Sequence, residues 1–425
     1  MEDVLKRITF GTAICKSTLT DTISSEEKPD LSFKKENIVI IGGELFNKGA
    51  QAMTFTVVDQ LQRRFPEKSI YLFSEKDYYR DESDKEQYGF KILPWTVNTR
   101  TNAMSPILPT PSKVSKSVKD EVLSVLKDCA FIIDINGYAL SSQWGVNRSM
   151  LYMANIAAAK NFSIPIYIFP QSIGPFDYQV PAKYLLDPLF RTYLPFPELI
   201  CPREREGKDW LGKYTNSNVD HQFDIVLQYK GYDLDNIYSK IPEFREPVIN
   251  ENAIGIIPNS QVEKRIESEK LYKLYSELIK SLLNNGNEVY VLRHSVEDLE
   301  LCNRIVQRAE NSDDVHLLNS DFSAIELEHI IEQFQFIIGS RYHSIVHAYK
   351  NNTPVIAIGW ATKYESLLDK FDQSQYFFEG RNKVTASELI NAAERLSKNM
   401  MREKRVIENT RGEILENDII TENFS

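Results

Sequence analysis

The sequence lacks several features that would assign it to a specialised class of protein. It has no apolar stretch near the ~20 residues of a membrane-spanning helix, and its N-terminus lacks the basic start and apolar core of a signal peptide. Only four of its 425 residues are cysteines, and none of them shows the CxxC spacing of a zinc cluster. A disulfide scaffold is not indicated either, so we expect a cytoplasmic protein with reduced thiols.

A surplus of positive charge is also missing. The chain has 50 Lys and Arg residues against 60 Asp and Glu, which gives a formal net charge of −10. Binding to the phosphate backbone of nucleic acid needs a basic face, and no dense run of Lys or Arg provides one. Nucleic acid is therefore not an expected partner, and any anion site must be local. No ligand cluster is visible for a metal, and none is expected.

Strands alternate with helices along the chain, which is typical of parallel α/β architecture. At ~100 to 200 residues per domain, the length indicates two domains. We predict two Rossmann-like doubly wound α/β domains that face a cleft, as in GT-B enzymes. The segment from residue 76 to 119 is predicted as loop and short helices. The expected divisions are a polar N-terminal arm (1–36), a first domain (37–230), a linker (231–252), a second domain (253–370) and a helical tail (371–425).

The most informative stretch is IIGSRYHSIVHAYKNNTPVIAIGW, residues 337–360. It predicts a strand over 336–339, a helix over 342–350 and a second strand over 353–359, with Ser340 as the N-cap of the helix. This is a βαβ unit, whose ligands collect outside the carboxyl ends of the strands.

Arg341 and His343 fall at the N-terminus of that helix, where free N–H groups and the helix dipole favour anions. A functional role and a purely structural role are both open for these two residues at this point. An Arg at a helix start can form a surface ion pair, and a His can be packed. His347 lies four residues after His343, on the same helical face, as in a zinc-binding pair. The Glu of HExxH is absent and no third ligand is near, so we interpret His347 as a packed residue that supports the site.

Other predicted strands are also followed by polar segments. Because the carboxyl ends of parallel strands share one edge of a sheet, these segments are candidates for a common site. They are NKGAQA (47–52), DINGYALSSQWG (134–145), PQSIGPF (170–176), CPREREG (201–207), PNS (258–260), RH (293–294) and SRYH (340–343).

In their order and spacing, these motifs resemble the polysaccharide pyruvyltransferase family, and most closely its colanic-acid WcaK-type branch. The resemblance covers about residues 37 to 370. It implies transfer of the enolpyruvyl unit of phosphoenolpyruvate to a sugar of a cell-surface polysaccharide precursor, as in exopolysaccharide or capsule biosynthesis, with formation of a pyruvate ketal. Phosphoenolpyruvate would be a co-substrate, with no cofactor. A lipid-linked acceptor would place the protein peripherally at the inner face of the cell membrane.

The resemblance also implies roles for individual residues. His343 would be the general acid that protonates the vinyl carbon of the donor. Arg341 and Arg203 would hold the donor's carboxylate and phosphate, because planar guanidinium groups bind both bidentately. Arg293 and His294 would contribute to the donor pocket, with His294 as the second choice for the acid. The candidates for acceptor hydroxyls are Asn47, Asn136, Gln171 and Asn259.

Several neighbouring residues leave more than one role open. Glu204 could orient Arg203 or act as a base, or it could simply start a helix. Tyr138 and Trp144 could stack on a sugar face, although aromatic residues more often form core. The sequence departs from the family pattern at Gly207, where Ser is usual, and at Ala50, where many members carry Asp.

Two other functions remain open from the sequence. One is a GT-B-like glycosyltransferase, in which the same arginines and helix N-terminus would bind the diphosphate of a nucleotide sugar. The other is a non-catalytic protein that binds glycan or assists assembly. The combination of Arg203, Arg341 and His343 argues against the second, because binding alone does not need it.

Overall fold

The computed structural model describes residues 2–23, 29, 31, 33–105, 114–309, 313–381 and 384–424. The strands are β1 (Asn37–Ile41), β2 (Ser69–Phe73), β3 (Lys91–Leu93), β4 (Cys129–Asp134), β5 (Ile166–Gln171), β6 (Leu199–Pro202), β7 (Ala253–Ile257), β8 (Glu288–Leu292), β9 (Val315–Leu318), β10 (Ile337–Gly339), β11 (Val355–Gly359) and β12 (Phe377–Glu379).

The helices alternate with these strands along most of the chain. They are α1 (Glu2–Ile23), α2 (Lys48–Arg64), α3 (Glu75–Tyr78), α4 (Glu82–Glu86), α5 (Val97–Met104), α6 (Lys116–Lys127), α7 (Val146–Asn161), α8 (Ala182–Tyr193), α9 (Arg205–Leu211), α10 (Leu234–Ile237), α11 (Ser260–Glu263), α12 (Ser268–Asn284), α13 (Leu299–Gln307), α14 (Ala324–Glu332), α15 (Tyr342–Lys350), α16 (Thr362–Lys370), α17 (Ala386–Leu415) and α18 (Ile419–Asn423). Short 3₁₀ helices cover Ser142–Trp144, Ile225–Gln228, Val296–Asp298 and Ser374–Tyr376.

The chain forms two compact units, and each is discontinuous in sequence. The first comprises Met1–Phe46, Met53–Ile225 and Gly231–Pro242, and the second comprises Asn47–Ala52, Val226–Lys230 and Glu243–Ser425. The first unit thus continues into the segment expected to be a linker. The helices α17 and α18 belong to the second unit, where the sequence indicated a separate tail.

Each unit contains a parallel sheet with six strands among the described residues. The order is β3-β2-β1-β4-β5-β6 in the first sheet and β12-β11-β10-β7-β8-β9 in the second. Both follow the doubly wound Rossmann order, with the reversal between β1 and β4 in one sheet and between β7 and β10 in the other. The prediction of two Rossmann-like α/β domains is therefore confirmed.

The central strands are buried apolar runs, as expected for a parallel sheet covered on both faces. In β1, Ile38 to Ile41 are almost completely inaccessible, and β7 and β11 are buried at every position. Their continuous Val, Ile and Ala content is typical of such strands, and β11 lies within the strand predicted over 353–359.

The N-terminal segment differs from the expected peripheral arm. Over the residues that the structure describes there, α1 packs into the first unit, with Phe10, Ala13 and Ile14 buried. The hydroxyl of Thr18 donates to the Tyr193 hydroxyl at 3.2 Å. Phe10, Ala13, Ile14 and Thr18 occupy positions i, i+3, i+4 and i+8, so they share one helical face. The polar residues between them hide that face when only the average composition of the segment is considered.

Two edge strands were not predicted. β3 lies in the segment expected to be loop and short helices, and β12 lies where a helical tail was expected. Both have only three residues, too few to show a strand periodicity. Among the described helices, none is long and apolar enough to cross a membrane.

Candidate functional site

The helix of the 337–360 segment begins where the sequence predicted, but its cap differs. α15 starts at Tyr342, so Arg341 occupies the N-cap position in an extended conformation. Ser340, the predicted cap, lies just after β10, and its N–H adds one more ladder bond, to the Ile257 carbonyl at 2.9 Å. The extra ladder bond explains why Ser340 is not the cap. Because α15 starts at Tyr342, His343 lies in the first turn of the helix.

Arg341 is held by two carboxylates. Its Nε donates to Asp298 Oδ2 at 2.8 Å, and its Nη2 donates to Glu297 Oε1 at 2.6 Å and also to Asp298 Oδ1. Burial alone would lower the pKa of Arg341, but these carboxylates raise it above its usual value. Nη1 makes no hydrogen bond to the residues that the structure describes. The guanidinium is therefore charged and oriented, with one amino group left for a ligand.

Asp298 ties together the turns that follow three strands. It is fully buried, and besides Arg341 it accepts the backbone N–H of Ser260 at 2.9 Å. The neighbouring Asn259 donates from Nδ2 to the Ser340 carbonyl at 2.8 Å and accepts the Gln261 N–H at 2.8 Å. Asn259, an acceptor-binding candidate, thus uses both ends of its amide within the protein.

The imidazole of His343 is covered by the backbone of Gly49. A Cβ on Gly49 would lie 2.1 Å from His343 Nδ1, so no side chain fits at this position. Asn47 caps the first turn of α2, because its Oδ1 accepts the N–H groups of Gly49 at 3.0 Å and Ala50 at 3.2 Å. Gln51 then caps α14 through Oε1, which accepts the Ala324 N–H at 2.7 Å. The NKGAQA motif is thereby anchored next to the RYH motif.

Further positive charges of the second unit lie near these histidines. Lys48 Nζ is 3.0 Å and Arg293 Nη2 is 3.4 Å from Asp321 Oδ1; both cations are nearly buried, whereas the Asp321 side chain is 59% exposed.

Burial, followed by the charges of His347, Arg341, His343 and Lys48, places the pKa of His294 well below its usual value. His294 is therefore neutral near pH 7. Its buried Nε2 has no hydrogen-bond partner among the described residues. Lys48 was not predicted as a site residue, although its place after a capping Asn at a helix start could have indicated it.

In the first unit, Arg203 is bound by the protein itself. Its side chain is almost fully buried; Nη1 donates to Asp224, and Nη2 donates to the Gly137 carbonyl at 2.7 Å and to Ser172 Oγ at 3.0 Å. Glu204 accepts the Ser172 hydroxyl at 2.7 Å and makes no capping bond to α9. Of the three roles considered for Glu204, this contact fits the orientation of Arg203, through Ser172.

The two acceptor candidates of the first unit converge on Asp134. Asn136 donates to Asp134 Oδ1 from its backbone N–H at 2.9 Å and from Nδ2 at 2.8 Å. Gln171 is fully buried; it donates to the same oxygen at 3.5 Å and accepts the Tyr152 hydroxyl at 2.9 Å. Burial raises the pKa of Asp134, while these hydrogen bonds oppose the rise. Asn136 is half-buried at the strand end, whereas Gln171 is internal.

The family model "Polysaccharide pyruvyl transferase" matches residues 47–362, from the NKGAQA motif to the start of α16. The chain belongs to this family. No curated protein sequence is similar enough to count as a match.

The fold of this polysaccharide pyruvyl transferase family member is shared with solved structures of nucleotide-sugar enzymes. The UDP-GlcNAc 2-epimerase of Neisseria meningitidis bound to UDP-GlcNAc has a TM-score of 0.55 at 12% identity, over 91% of this chain and 99% of that one. For S. aureus MnaA with UDP, the TM-score is 0.51 at 11% identity, over 88% and 90%. The Methanocaldococcus jannaschii UDP-GlcNAc 2-epimerase gives 0.51 at 11%, over 84% and 92%. At such identities the likeness shows the fold alone.

His347 is a packed residue of α15, as the sequence indicated. It is fully buried, with Nδ1 3.4 Å from Glu328 Oε2, and Lys350 Nζ lies 2.9 Å from Glu328 Oε1. Burial would raise the pKa of Glu328, but Lys350 and His347 lower it to about 2. Among the described residues, no group of three or more His, Cys, Asp or Glu is arranged to hold a metal ion.

The departure from the family pattern at residue 207 has a local cause. A Cβ on Gly207 would lie 2.7 Å from the Cβ of Pro202, so Ser does not fit without a shift of the chain. The two aromatic candidates for sugar stacking contact each other, with ring centroids of Tyr138 and Trp144 5.4 Å apart. Trp144 is half exposed, while the Tyr138 hydroxyl donates to the Gly174 carbonyl at 3.1 Å.

The predicted site residues thus divide between the units. The second unit holds Asn47, Asn259, Arg293, His294, Arg341 and His343. The first unit holds Asn136, Gln171 and Arg203.

Proposed function

We propose that this protein transfers the enolpyruvyl unit of phosphoenolpyruvate to a sugar of a cell-surface polysaccharide precursor and closes a pyruvate ketal. The observation that carries the proposal is the cluster of positive charge in the second unit: Lys48 and Arg293 both lie against Asp321 Oδ1, at 3.0 and 3.4 Å, and the charges of Lys48 and Arg341 help to lower the pKa of His294. Such a cluster favours a small ligand with several negative charges. Membership of the polysaccharide pyruvyl transferase family supplies the reaction class.

The donor fits this cluster chemically. Phosphoenolpyruvate carries a carboxylate and a phosphate, and we assign these to Arg341 Nη1, Arg293 and Lys48. The neutral His294 can donate a further hydrogen bond to either group. Because three cations can neutralise the donor, the proposal includes no metal or cofactor. Arg203 enters as a positioning residue, since its guanidinium group donates to Asp224, to the Gly137 carbonyl and to Ser172.

His343 is the proposed general acid. It gives a proton to the vinyl methylene, so that the central carbon becomes an oxocarbenium-like acceptor. One sugar hydroxyl attacks this carbon and loses its proton, and a second hydroxyl then displaces inorganic phosphate and loses its own. The methylene has become a methyl group, two C–O bonds to the sugar have formed, and the C–O bond to phosphate has broken. The cover of Gly49 over the imidazole restricts how the ring can turn, which favours a fixed direction of proton transfer.

The proposed acceptor class and place of reaction rest on the resemblance to the WcaK-type branch. We propose exopolysaccharide or capsule precursors as the acceptor class and the cytoplasm as the place of reaction. A lipid-linked precursor would add a peripheral contact at the inner membrane surface.

Calorimetric titration with phosphoenolpyruvate tests the donor. We expect the protein to bind phosphoenolpyruvate and the variants Lys48→Met, Arg293→Gln and Arg341→Ala to lose at least about tenfold in affinity, the typical effect of removing one charge-assisted hydrogen bond. Arg304→Ala is the matched control, because Arg304 is a partly exposed arginine of the same unit, and within the described part of the chain its hydrogen bonds are to the exposed Glu300 and to the hydroxyl of the buried Tyr272. If the protein did not bind phosphoenolpyruvate but clearly bound UDP-sugars, the proposal would be rejected in favour of glycosyltransferase activity.

The role of His343 needs a separate assay. With phosphoenolpyruvate and a lipid-linked oligosaccharide fraction as acceptor, His343→Ala should release phosphate about 10² to 10⁴ times more slowly, while donor binding survives. Unchanged phosphate release would refute the assignment of the acid.

A further inference from the structure

A cavity of about 510 Å³ lies wholly within the first unit. Residues that follow strands line it, including Gly42 after β1, Ser74 after β2, Trp95 after β3 and Asn136 after β4. It therefore lies at the carboxyl edge of the first sheet, beside the point where the strand order reverses, which is the usual ligand position in doubly wound folds. Its volume is within the range of about 300 to 1,000 Å³ of small-molecule sites.

One wall of the cavity contains the guanidinium group of Arg100, which the protein holds through its Nε atom. Arg100 on α5 donates from Nε to Asn155 Oδ1 at 3.0 Å, and the same oxygen accepts the Trp95 indole N–H at 2.9 Å. The guanidinium carbon is 5.5 Å from the centroid of the Trp95 ring. Neither Nη1 nor Nη2 of Arg100 donates to any residue that the structure describes. Arg100 is thus fixed at one end, with a bidentate donor face that the protein leaves unused.

A second guanidinium lines the same cavity. Arg148 on α7 is exposed and lies close enough to act on Arg100: burial first, and the like charge of Arg148, lower the pKa of Arg100 to about 10, although Glu75 and Asp134 oppose the shift. Of the two glutamates that line the cavity, Glu44 pairs with Lys76 at 3.1 Å and Glu75 is exposed. Arg100 and Arg148 thus place two like charges on one cavity, and a bound anion would offset their repulsion.

The remaining lining suits a sugar ring. Tyr79 is 58% exposed and lines the cavity, so its ring is available to stack on the apolar face of a pyranose. Asn136 also lines the cavity, and the carbonyl oxygen of a neutral amide can accept a hydrogen bond from a sugar hydroxyl.

We propose that this cavity binds a pyranose bearing an anionic group, with Arg100 and Arg148 on the anion and Tyr79 on the ring. The anion is a carboxylate, as in a hexuronic acid, or a phosphate on the sugar. That the bound sugar is the acceptor of the reaction rests on the proposed function; that the cavity takes an anionic sugar does not.

Saturation-transfer NMR and titration of the full-length protein test the proposal with three probes: glucuronate, glucose 1-phosphate and glucose. At least one of the two anionic sugars should bind about tenfold or more tighter than glucose, the gain expected from charge-assisted hydrogen bonds. Preference for glucuronate identifies a carboxylate, preference for the 1-phosphate identifies a phosphate, and tight binding of both supports the shared chemistry. Equal binding of all three probes, or no binding of any, overturns the proposal.

Variants then locate the binding. Arg100→Gln and Arg148→Gln should remove the preference for the anionic sugar, whereas Arg191→Gln, an exposed arginine of the first unit paired with Asp187, should retain it. Arg148 is exposed, so its variant tests the site even if Arg100→Gln folds poorly. A preference that survives in Arg148→Gln and in folded Arg100→Gln contradicts the proposal. A parallel titration with phosphoenolpyruvate separates the two hypotheses, because loss of donor binding alone rejects the proposed function and leaves the cavity's ligand class standing.

Discussion

Gly49 and His343 are in direct contact, although they are far apart in the sequence. A single methyl group on Gly49 would lie 2.1 Å from Nδ1 of the imidazole. The glycine of the NKGA motif is therefore required by the proposed catalytic histidine, and its backbone φ angle is not in the left-handed region. The contact joins two motifs that the sequence could relate only through family resemblance.

Gly49→Ala should disturb this contact. The new methyl group must displace either the imidazole or the first turn of α2, and overpacking of this kind costs about 1–3 kcal/mol of stability. We expect His343 to change its position and phosphate release to fall about 10²-fold. Because the chain has only six histidines, their ring-proton NMR signals can follow His343 directly. Ala50→Ser is the control, and wild-type signals in Gly49→Ala would show that the contact is not tight.

Asp298→Asn should destabilise the protein. Asp298 is fully buried and binds Arg341 through both oxygens, so its loss leaves a largely buried guanidinium with only Glu297. Removing one partner of a buried pair costs about 3–5 kcal/mol. Glu297→Gln removes a carboxylate that is 49% exposed and should cost about 1 kcal/mol or less. Urea unfolding measures both; equal effects would mean that Asp298 does not organise the site.

His294 should make the protein sensitive to mild acid. In the folded protein, the pKa of His294 lies well below the ordinary 6.5. Between these two pKa values, the unfolded chain binds a proton at His294 that the folded protein does not bind. The contribution of His294 is complete above about pH 6.5 and is lost as the pH falls toward the lowered value. Thermal unfolding at about pH 7.5 and about pH 5.5 should show a larger loss for the wild type than for His294→Gln. An equal loss would indicate that other groups dominate.

The Glu328–Lys350 pair gives a prediction at lower pH. Its carboxyl pKa is about 2 in the folded protein against an ordinary 4.5, so its stabilising contribution is complete above about pH 4.5 and is lost as the pH falls toward 2. At neutral pH, Glu328→Gln should cost about 3–5 kcal/mol, because Lys350 stays buried without its charge partner. The double variant Glu328→Leu/Lys350→Met should recover much of the loss. A double variant no more stable than Glu328→Gln would contradict this account.

The sheet strands were predictable because a buried parallel strand has to be apolar along its whole length. The runs NIVII, AIGII and VIAIG are such strands, and the helix over 342–350 was predicted to the residue. Three-residue edge strands, by contrast, carry too little pattern. The cap at Arg341 was missed because it depends on one ladder hydrogen bond, Ser340 to Ile257, which no local pattern encodes.

The site was predictable in its residues more than in its partners. Arg341 and His343 lie near enough to His294 to lower its pKa, but Asp298 stands in an ordinary acidic segment, SVEDLE, and nothing local shows that it is buried. Arg203 likewise gives no sequence sign of its ion pair with Asp224. Long-range ion pairs depend on which strand ends become neighbours, and that follows from topology rather than from spacing along the chain.

The discontinuity of the second unit limits how this protein can be divided in the laboratory. A recombinant piece starting at residue 243 would lose the backbone over His343, the ammonium group of Lys48 and the amide that caps α14. It would also lose the hydrogen bond from Tyr229 to Asp418, 2.7 Å long. Chimeras between relatives therefore have to exchange three stretches of chain together, because no single cut releases this half intact.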